Sequence, residues 1–410
     1  MRLTISLRSS TMNSSIGEVC SRFSSGTALP AKDIHQTGLD PVYGGNGIRG
    51  YTDTYNFDGR CAIIGRQGAL CGNVRYFEGK AFMTEHAIVA VANDKNDSGY
   101  LAYKLMIMNL GKYQGQSAQP GLSVTTLSRL PIRLPDLATQ RKVFSFLNTL
   151  SNKISNNTAV ISQLESLAKT IYDYWFLQFE FPNEEGKPYK SSGGKMVWNA
   201  ELKREIPEGW EAKQIKDIAT TNRGISYTAK DLADIGTPIL SLASVSRTGA
   251  YIPEGIKYFC GEVPSSKELK PYDLIMCNTD MTQQREVIAR CIMVPDIFEN
   301  VITHTHHITK VSLNDDSYNS YFCSTTQSSW FHEYVKGFSS GTNVLGRDAK
   351  AFDKIWLPVP DKNTAEKYNK TFMKLQKDKS NLLKQNQELA SLRDFLLPML
   401  MNGQITFKDN

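Results

Sequence analysis

Three short stretches of this 410-residue chain carry residue types that can do chemistry. Gly44-Gly-Asn-Gly47 has the look of a glycine turn that cradles a cofactor, as an S-adenosylmethionine site requires. Asp58 with Glu78-Gly-Lys80 mimics the acidic-x-Lys spacing of metal-dependent nucleases, and His304-Thr-His306-His307 groups imidazoles that suit a metal ion. Each lacks what would complete it. A base methyltransferase also needs an Asn/Asp-Pro-Pro-aromatic tetrapeptide to hold an extruded base, and the chain has none. A single acidic-x-Lys spacing arises readily where 21% of residues are charged. Three histidines within one strand point to alternating faces, and no carboxylate lies beside them. The expectation is therefore a chain with no catalytic residues, no metal and no cofactor of its own; the glycine cluster is read as a turn or a nucleic-acid-facing loop.

The remaining polar loops are suited to a different task. Reading base edges in a DNA groove needs Arg, Asn or Gln side chains that make paired hydrogen bonds, and neighbouring glycines let the backbone approach closely. Candidates in the first half are Arg49 and Tyr51 beside the glycine run, and Arg66 and Gln67 within Gly65-Arg-Gln-Gly68. In the second half they are Asn222 and Arg223 before Gly224, then Asn278, Gln283, Gln284 and Arg285 after a strand. The competing reading of each is a solvated loop residue.

These loops need elements to hold them. The length predicts two or three domains. Forty per cent hydrophobic residues fit a folded soluble protein, and a net charge of +6 is too small to argue for nucleic acid by itself. Seven scattered cysteines without C-x-x-C spacing point away from disulfides and zinc, towards a reducing cytoplasm. The apolar patch around Leu3, Ile5 and Leu7 is too short for a signal-peptide core, and no apolar run approaches the roughly 20 residues of a membrane helix.

The chain is written twice. A shift of 225 positions lays Leu130-Pro-Ile-Arg-Leu-Pro135-Asp136 on Ile355-Trp-Leu-Pro-Val-Pro360-Asp361, Gly121 on Gly346, and Leu164-Glu-Ser166-Leu167 on Leu389-Ala-Ser391-Leu392. A long stretch almost free of Pro and Gly follows each proline-rich end. In the first, Val143, Leu147, Leu150, Ile154, Asn157, Ile161, Leu164, Ala168, Ile171 and Trp175 step by alternate fours and threes, a heptad seam. The second carries the seam at Tyr368, Phe372, Leu375, Lys379, Leu382, Asn386, Leu389, Arg393, Leu396 and Leu400. Two helices related by a two-fold and running antiparallel would set Asn157 against Asn386 and Ile161 against Leu382, polar on polar and apolar on apolar, which fixes register.

The segments before the helices hold short β-branched runs such as Cys61-Ala-Ile-Ile64 and Ala87-Ile-Val-Ala-Val91, divided by turn residues. They resemble each other weakly: Ile16-Gly-Glu-Val19 pairs with Ile215-Lys-Asp-Ile218, and Thr84-Glu-His86 with Thr305-His-His307. The predicted fold class is α+β: two mixed β-rich domains separated by two long antiparallel helices forming a coiled coil, with a pseudo-two-fold repeat. Expected boundaries are 1–135 for the first domain, 136–180 for the first helix, 181–210 for a polar crossover linker, 211–360 for the second domain, and 361–410 for the second helix and tail.

That layout resembles the specificity subunits of type I restriction-modification systems over nearly the whole chain. The likeness rests on Leu134-Pro-Asp-Leu-Ala-Thr-Gln140, Tyr174-Trp-Phe-Leu-Gln-Phe-Glu-Phe-Pro182, Pro188-Tyr-Lys-Ser-Ser-Gly-Gly194 and Glu205-Ile-Pro-Glu-Gly-Trp210, together with Tyr43-Gly-Gly-Asn-Gly-Ile-Arg-Gly50 and Ile64-Gly-Arg-Gln-Gly68. It implies two target recognition domains that each read half of a split, asymmetric site in double-stranded DNA. The helices would act as spacer, about 40 residues spanning roughly 60 Å. Two methyltransferase subunits would supply S-adenosylmethionine chemistry on adenine N6, and two motor-nuclease subunits would use ATP and Mg; the chain itself is not catalytic. It departs from the family pattern at Ala365, where the first repeat has Gln140. The alternatives are a coiled-coil scaffold joining two protein-binding domains, and a self-contained methyltransferase.

Overall fold

The computed structural model describes residues 2–5, 12–68, 70–115, 121–280, 284–340, 345–347 and 354–408. They form two compact units, Met1–Ile154 with Glu388–Asn410, and Ser155–Gln387. Each unit holds one β-rich domain with its own share of both long helices, so the boundary falls inside the helices and not at the ends of the domains.

In the first unit a six-stranded sheet runs in the order Cys20–Ser25, Ala87–Ala92, Phe57–Gly65, Val74–Met83, Asp40–Gly44, Gly47–Thr52. Side chains alternate across a strand, so an unbroken apolar run needs cover on both faces. Cys61 and Ile63 accordingly enter one core with Met83 and Val89, while Ala62 and Ile64 enter another with Ile88, Tyr100, Val143 and Leu396. The strands Arg2–Ile5 and Ile405–Lys408 pair antiparallel in the same unit.

The second unit contains a four-stranded sheet, Ala219–Arg223, Ile308–Leu313, Leu274–Cys277, Cys291–Met293, and a second sheet ordered Leu232–Ala233, Lys257–Phe259, Thr237–Leu240, Thr303–His304. Its main core is aromatic. The Phe176 ring meets Tyr368 edge-on at 4.7 Å and Tyr321 at 4.9 Å.

Backbone pairing shows the two domains to be one fold built twice. Met12 pairs with Leu134 as Glu211 pairs with Val359, and Gly65 pairs with Ala87 as Cys277 pairs with Ile308. Tyr43 lies beside Met83 as Leu240 lies beside His304. Gln67 bridges Gly121 as Thr279 bridges Gly346. The Ile16 and Ile215 amides donate to Leu130 and Ile355 at 3.0 and 3.1 Å. The 225-residue shift is thus a structural equivalence, which extends to the helix starts. Asp136 accepts the Thr139 amide at 2.9 Å and its hydroxyl at 2.8 Å; Asp361 accepts the same groups of Thr364 at 3.0 and 2.7 Å. These contacts hold the Asp136 carboxyl below the usual range, the Thr139 amide contributing most. The repeats differ four residues on. Gln140 is buried, donating to Asn96 and to the Pro135 carbonyl and accepting the Asp97 amide, whereas Ala365 is buried without a polar group.

The first long helix covers Leu137–Tyr172 and closes in a π turn, Asp173–Leu177; the second covers Lys362–Met401. None of the twenty seam positions is exposed. In the second unit the helices run antiparallel: Asn157 donates to Asn386 Oδ1 at 2.9 Å, and Lys379 to Glu165 at 2.8 Å. Asn386 in turn donates to Thr158 Oγ1. The apolar layer beside them differs in detail from the expected Ile161 against Leu382. Ile161 packs on the cluster containing buried Leu383, while Leu382 is half-buried outside it. Leu383 belongs to one cluster with Leu240 and Val245 of the sheet domain, so the domain core takes the neighbouring side chain.

The polar crossover 181–210 is folded and does not behave as a tether. Met196–Asn199 and Arg204–Pro207 form a hairpin, and Phe181 stacks on Tyr189 and Trp210 with centroids 4.6 and 5.4 Å apart. Its polar composition hid four widely spaced apolar anchors, Phe181, Tyr189, Ile206 and Trp210, which dock into the aromatic core.

Candidate nucleic-acid interface

In the first domain the candidate residues gather where the central strand Phe57–Gly65 ends. The turn between Asp40–Gly44 and Gly47–Thr52 presses on that end. A Cβ on Gly65 would sit 2.3 Å from the Gly45 carbonyl oxygen, and one on Gly45 would sit 2.7 Å from that of Gln67. Only glycine permits such backbone-to-backbone contact. The Arg49 stem folds over Gly44, and the Arg75 guanidinium occupies the space beside Gly47, whose φ is +109°. Arg66 reaches the Glu85 carbonyl at 3.4 Å, and exposed Gln67 places Oε1 2.8 Å from His86 Nδ1. Tyr51 is half-buried and exchanges two 2.8 Å backbone hydrogen bonds with His35. Arg49, Arg66, Gln67, Arg75 and His86 thus surround one glycine-lined spot.

The second domain disperses its candidates. Asn278 is buried and donates to Thr309 Oγ1 at 2.6 Å, so it presents no group to a groove. Asn222 donates to the Ser266 carbonyl at 2.7 Å and accepts from Lys267, which also donates to the Arg223 carbonyl. That amide holds neighbouring chain together, leaving the exposed Arg223 side chain as the outward group. Arg285 has φ +57° and donates to the Lys336 carbonyl at 2.8 Å, stopping a helix end in place of the expected loop contact. Gln284 is exposed; Gln283 lies outside the described residues. At the position of Gln67 stands Thr279, its Oγ1 2.9 Å from His307 Nδ1.

The chemistry first considered is differently occupied. Asp58 lies across the hairpin from Lys80, and Glu78 accepts the Tyr76 hydroxyl at 2.6 Å. His304 is buried, which lowers its pKa, and its Nε2 lies 3.3 Å from the Asn222 carbonyl. Burial, then His306 and Arg223, likewise lower His307. Among the described residues no three His, Cys, Asp or Glu are placed to share a metal ion. Among them, too, no helix is long and apolar enough to cross a membrane.

Comparison with known proteins bears directly on this arrangement. Residues 9–166 match the type I restriction modification DNA specificity domain. The chain is 38% identical over 140 residues to the type I restriction enzyme EcoprrI specificity subunit of Escherichia coli, covering 33% of this chain and 35% of that one. It is 24% identical over 324 residues to the MjaIX specificity subunit of Methanocaldococcus jannaschii, covering 76% and 70% of the two chains. The crystal structure of a type I restriction-modification S subunit from M. genitalium superposes with a TM-score of 0.63, covering 99% of this chain and 98% of that one at 14% identity. Residues 9–166 are thus similar to a type I restriction modification DNA specificity domain, and the whole chain shares the fold of an S subunit. The description of that domain as one of DNA specificity is in keeping with a site built of hydrogen-bonding side chains.

The matched stretch, residues 9–166, contains the whole glycine-lined cluster. Sequence reasoning missed Arg75 and the two histidines. Arg75 was signalled by its charge opposite Ile63 in the strand register, which only the folded hairpin reveals. The histidines were signalled by the repeated Thr-x-His.

Proposed function

We propose that this chain recognises a bipartite, asymmetric site in double-stranded DNA, each domain reading one half. It acts in the cytoplasm and directs adenine N6 methylation and restriction of foreign DNA by partner subunits. Two methyltransferase subunits bring S-adenosylmethionine, and two motor-nuclease subunits bring ATP and Mg; this chain holds no cofactor. The observation that carries the reading is the doubled fold, whose backbone pairing recurs at matched positions while the side chains at the strand end differ. Shared framework with divergent tips suits two readers of unlike sequences, because base readout depends on which side chains reach the groove edges. Arg49, Arg66, Gln67 and Arg75 are the proposed readers in the first domain, and Arg223, Thr279 and Gln284 in the second. Exchanging the first domain for that of another specificity subunit, then sequencing the methylome of a host carrying the complex, tests this. One half of the methylated motif should change and the other stay; a change in both halves or in neither would remove the two-reader model.

A further inference from the structure

The tips of the two domains diverge almost everywhere, yet one device recurs in both. In the first domain Thr84-Glu-His86-Ala87 makes a tight turn, the Ala87 amide donating to the Thr84 carbonyl at 3.0 Å. In the second, Thr305-His-His307-Ile308 makes the same turn at 2.9 Å. The Thr84 amide donates to Tyr43, and that of Thr305 to Leu240, each at 3.0 Å. The His86 carbonyl accepts the Arg66 amide at 2.9 Å, as the His307 carbonyl accepts that of Asn278 at 2.8 Å. Each ring then turns Nδ1 to the next residue of that strand end, Gln67 or Thr279. A long amide and a short hydroxyl meet the same nitrogen at nearly the same distance. On the other side of the rings the surroundings differ: Glu85 lies 3.0 Å from His86 Nε2, whereas the His306 ring lies 3.9 Å from that of His307. What the two copies share is the Nδ1 contact, not what Nε2 faces.

We infer that His86 and His307 are equivalent positioning residues, each clamping through Nδ1 the second residue after the central strand and so fixing the height of the loop that meets DNA. The carbonyl and ring nitrogen of one histidine hold two successive residues, Arg66 with Gln67 or Asn278 with Thr279, whose second member also bridges Gly121 or Gly346. Three contacts on so short a stretch leave the adjoining side chains little freedom of direction, which is what reading a groove edge demands. The inference rests on the DNA-recognition reading above.

The test uses the full chain assembled with its methyltransferase subunits, titrated on duplexes carrying the whole methylated site, the site with either half altered, and unrelated sequence. Asparagine places an amide near where Nδ1 lies, and glutamine near Nε2. His86→Ala should weaken binding to the whole site about five- to tenfold, the order expected for one lost hydrogen bond. Binding where the first domain's half-site is already altered should hardly change. His86→Asn should restore affinity to within about twofold and His86→Gln should not. His307 variants should behave likewise for the other half. Rescue by glutamine instead, or equal weakening on unrelated DNA, would show the ring itself to touch DNA and overturn the clamp. Equal losses on both half-sites with a lowered melting temperature would make the histidine merely structural, and no loss would remove it altogether. If the unaltered complex shows no preference for its site, the DNA reading fails and not the clamp alone.

Discussion

The strand end at Gly65–Gly68 and its counterpart at Cys277–Asp280 occupy the same place in two copies of one fold and share their histidine contacts, yet the rest of each end is fixed by opposite means. The first is set by glycines that let backbones touch, leaving Arg66 and Gln67 outward or half-outward. The second is set by side chains turned inward, Asn278 to Thr309 and the Asp280 carboxylate to the Val287 amide at 2.6 Å. The lesson is that a framework of backbone pairing tolerates either solution, and that the same loop position can be a reader in one copy and a fastening in the other.

The largest effect should come from the glycine side. Gly65→Val places a branched side chain against the Gly45 carbonyl with backbone on both sides, and should cost about 3 kcal/mol or more of stability in the first unit, measured by denaturant unfolding. A smaller cost would mean the turn 44–47 moves freely. Asn278→Ala strands a buried hydroxyl in the second unit and should cost about 2 kcal/mol, while leaving recognition of the first half-site alone. On the helices, Asn157→Leu leaves Asn386 facing an apolar side chain and should cost about 1 to 3 kcal/mol; adding Asn386→Leu should recover the stability and loosen the register, read from cysteine crosslinks between the helices. If the double variant is as unstable as the single one, the pair does not set register.

Arginine substitutions sharpen the contrast at the tips. Arg66→Ala should lose about 1 to 2 kcal/mol on cognate DNA and much less on unrelated DNA, whereas Arg285→Ala should lower thermal stability and leave the affinity ratio unchanged. Equal behaviour of the two arginines would erase the distinction between reader and fastening. The smallest effect belongs to the caps. Asp136→Ala and Asp361→Ala should each cost about 1 kcal/mol. Because its folded carboxyl titrates below the usual range, the contribution of Asp136 is present at neutral pH and fades only as the solution is acidified through that lowered value.

The helices and their seam were legible because a heptad pattern is local and was written twice. Gly121 and Gly346 were legible for the same reason, as members of a repeat. The loops were less so. Asn278 follows a strand and has a turn-former's chemistry, and nothing local to it reveals that Thr309 lies across the sheet to receive it. Asn222 and Arg285 likewise find partners 44 and 51 residues away. Arg49, Arg66 and Gln67 were recoverable because glycines beside them announce close backbone approach, a signal in the chain itself. The crossover was misread because its four anchors are spaced too widely for any periodicity.

That folded crossover decides where the protein can be cut and rejoined. Since Phe181, Ile206 and Trp210 are interior to the second unit, a chimera joined anywhere from 181 to 210 would divide one aromatic core between two parents whose side chains never matched. A pair of junctions inside the helices, near Ile154–Ser155 and Gln387–Glu388, keeps each unit whole and cuts within the heptad seam. New pairings of readers are therefore easier to assemble by splicing within both helices than through the stretch that looks like a hinge.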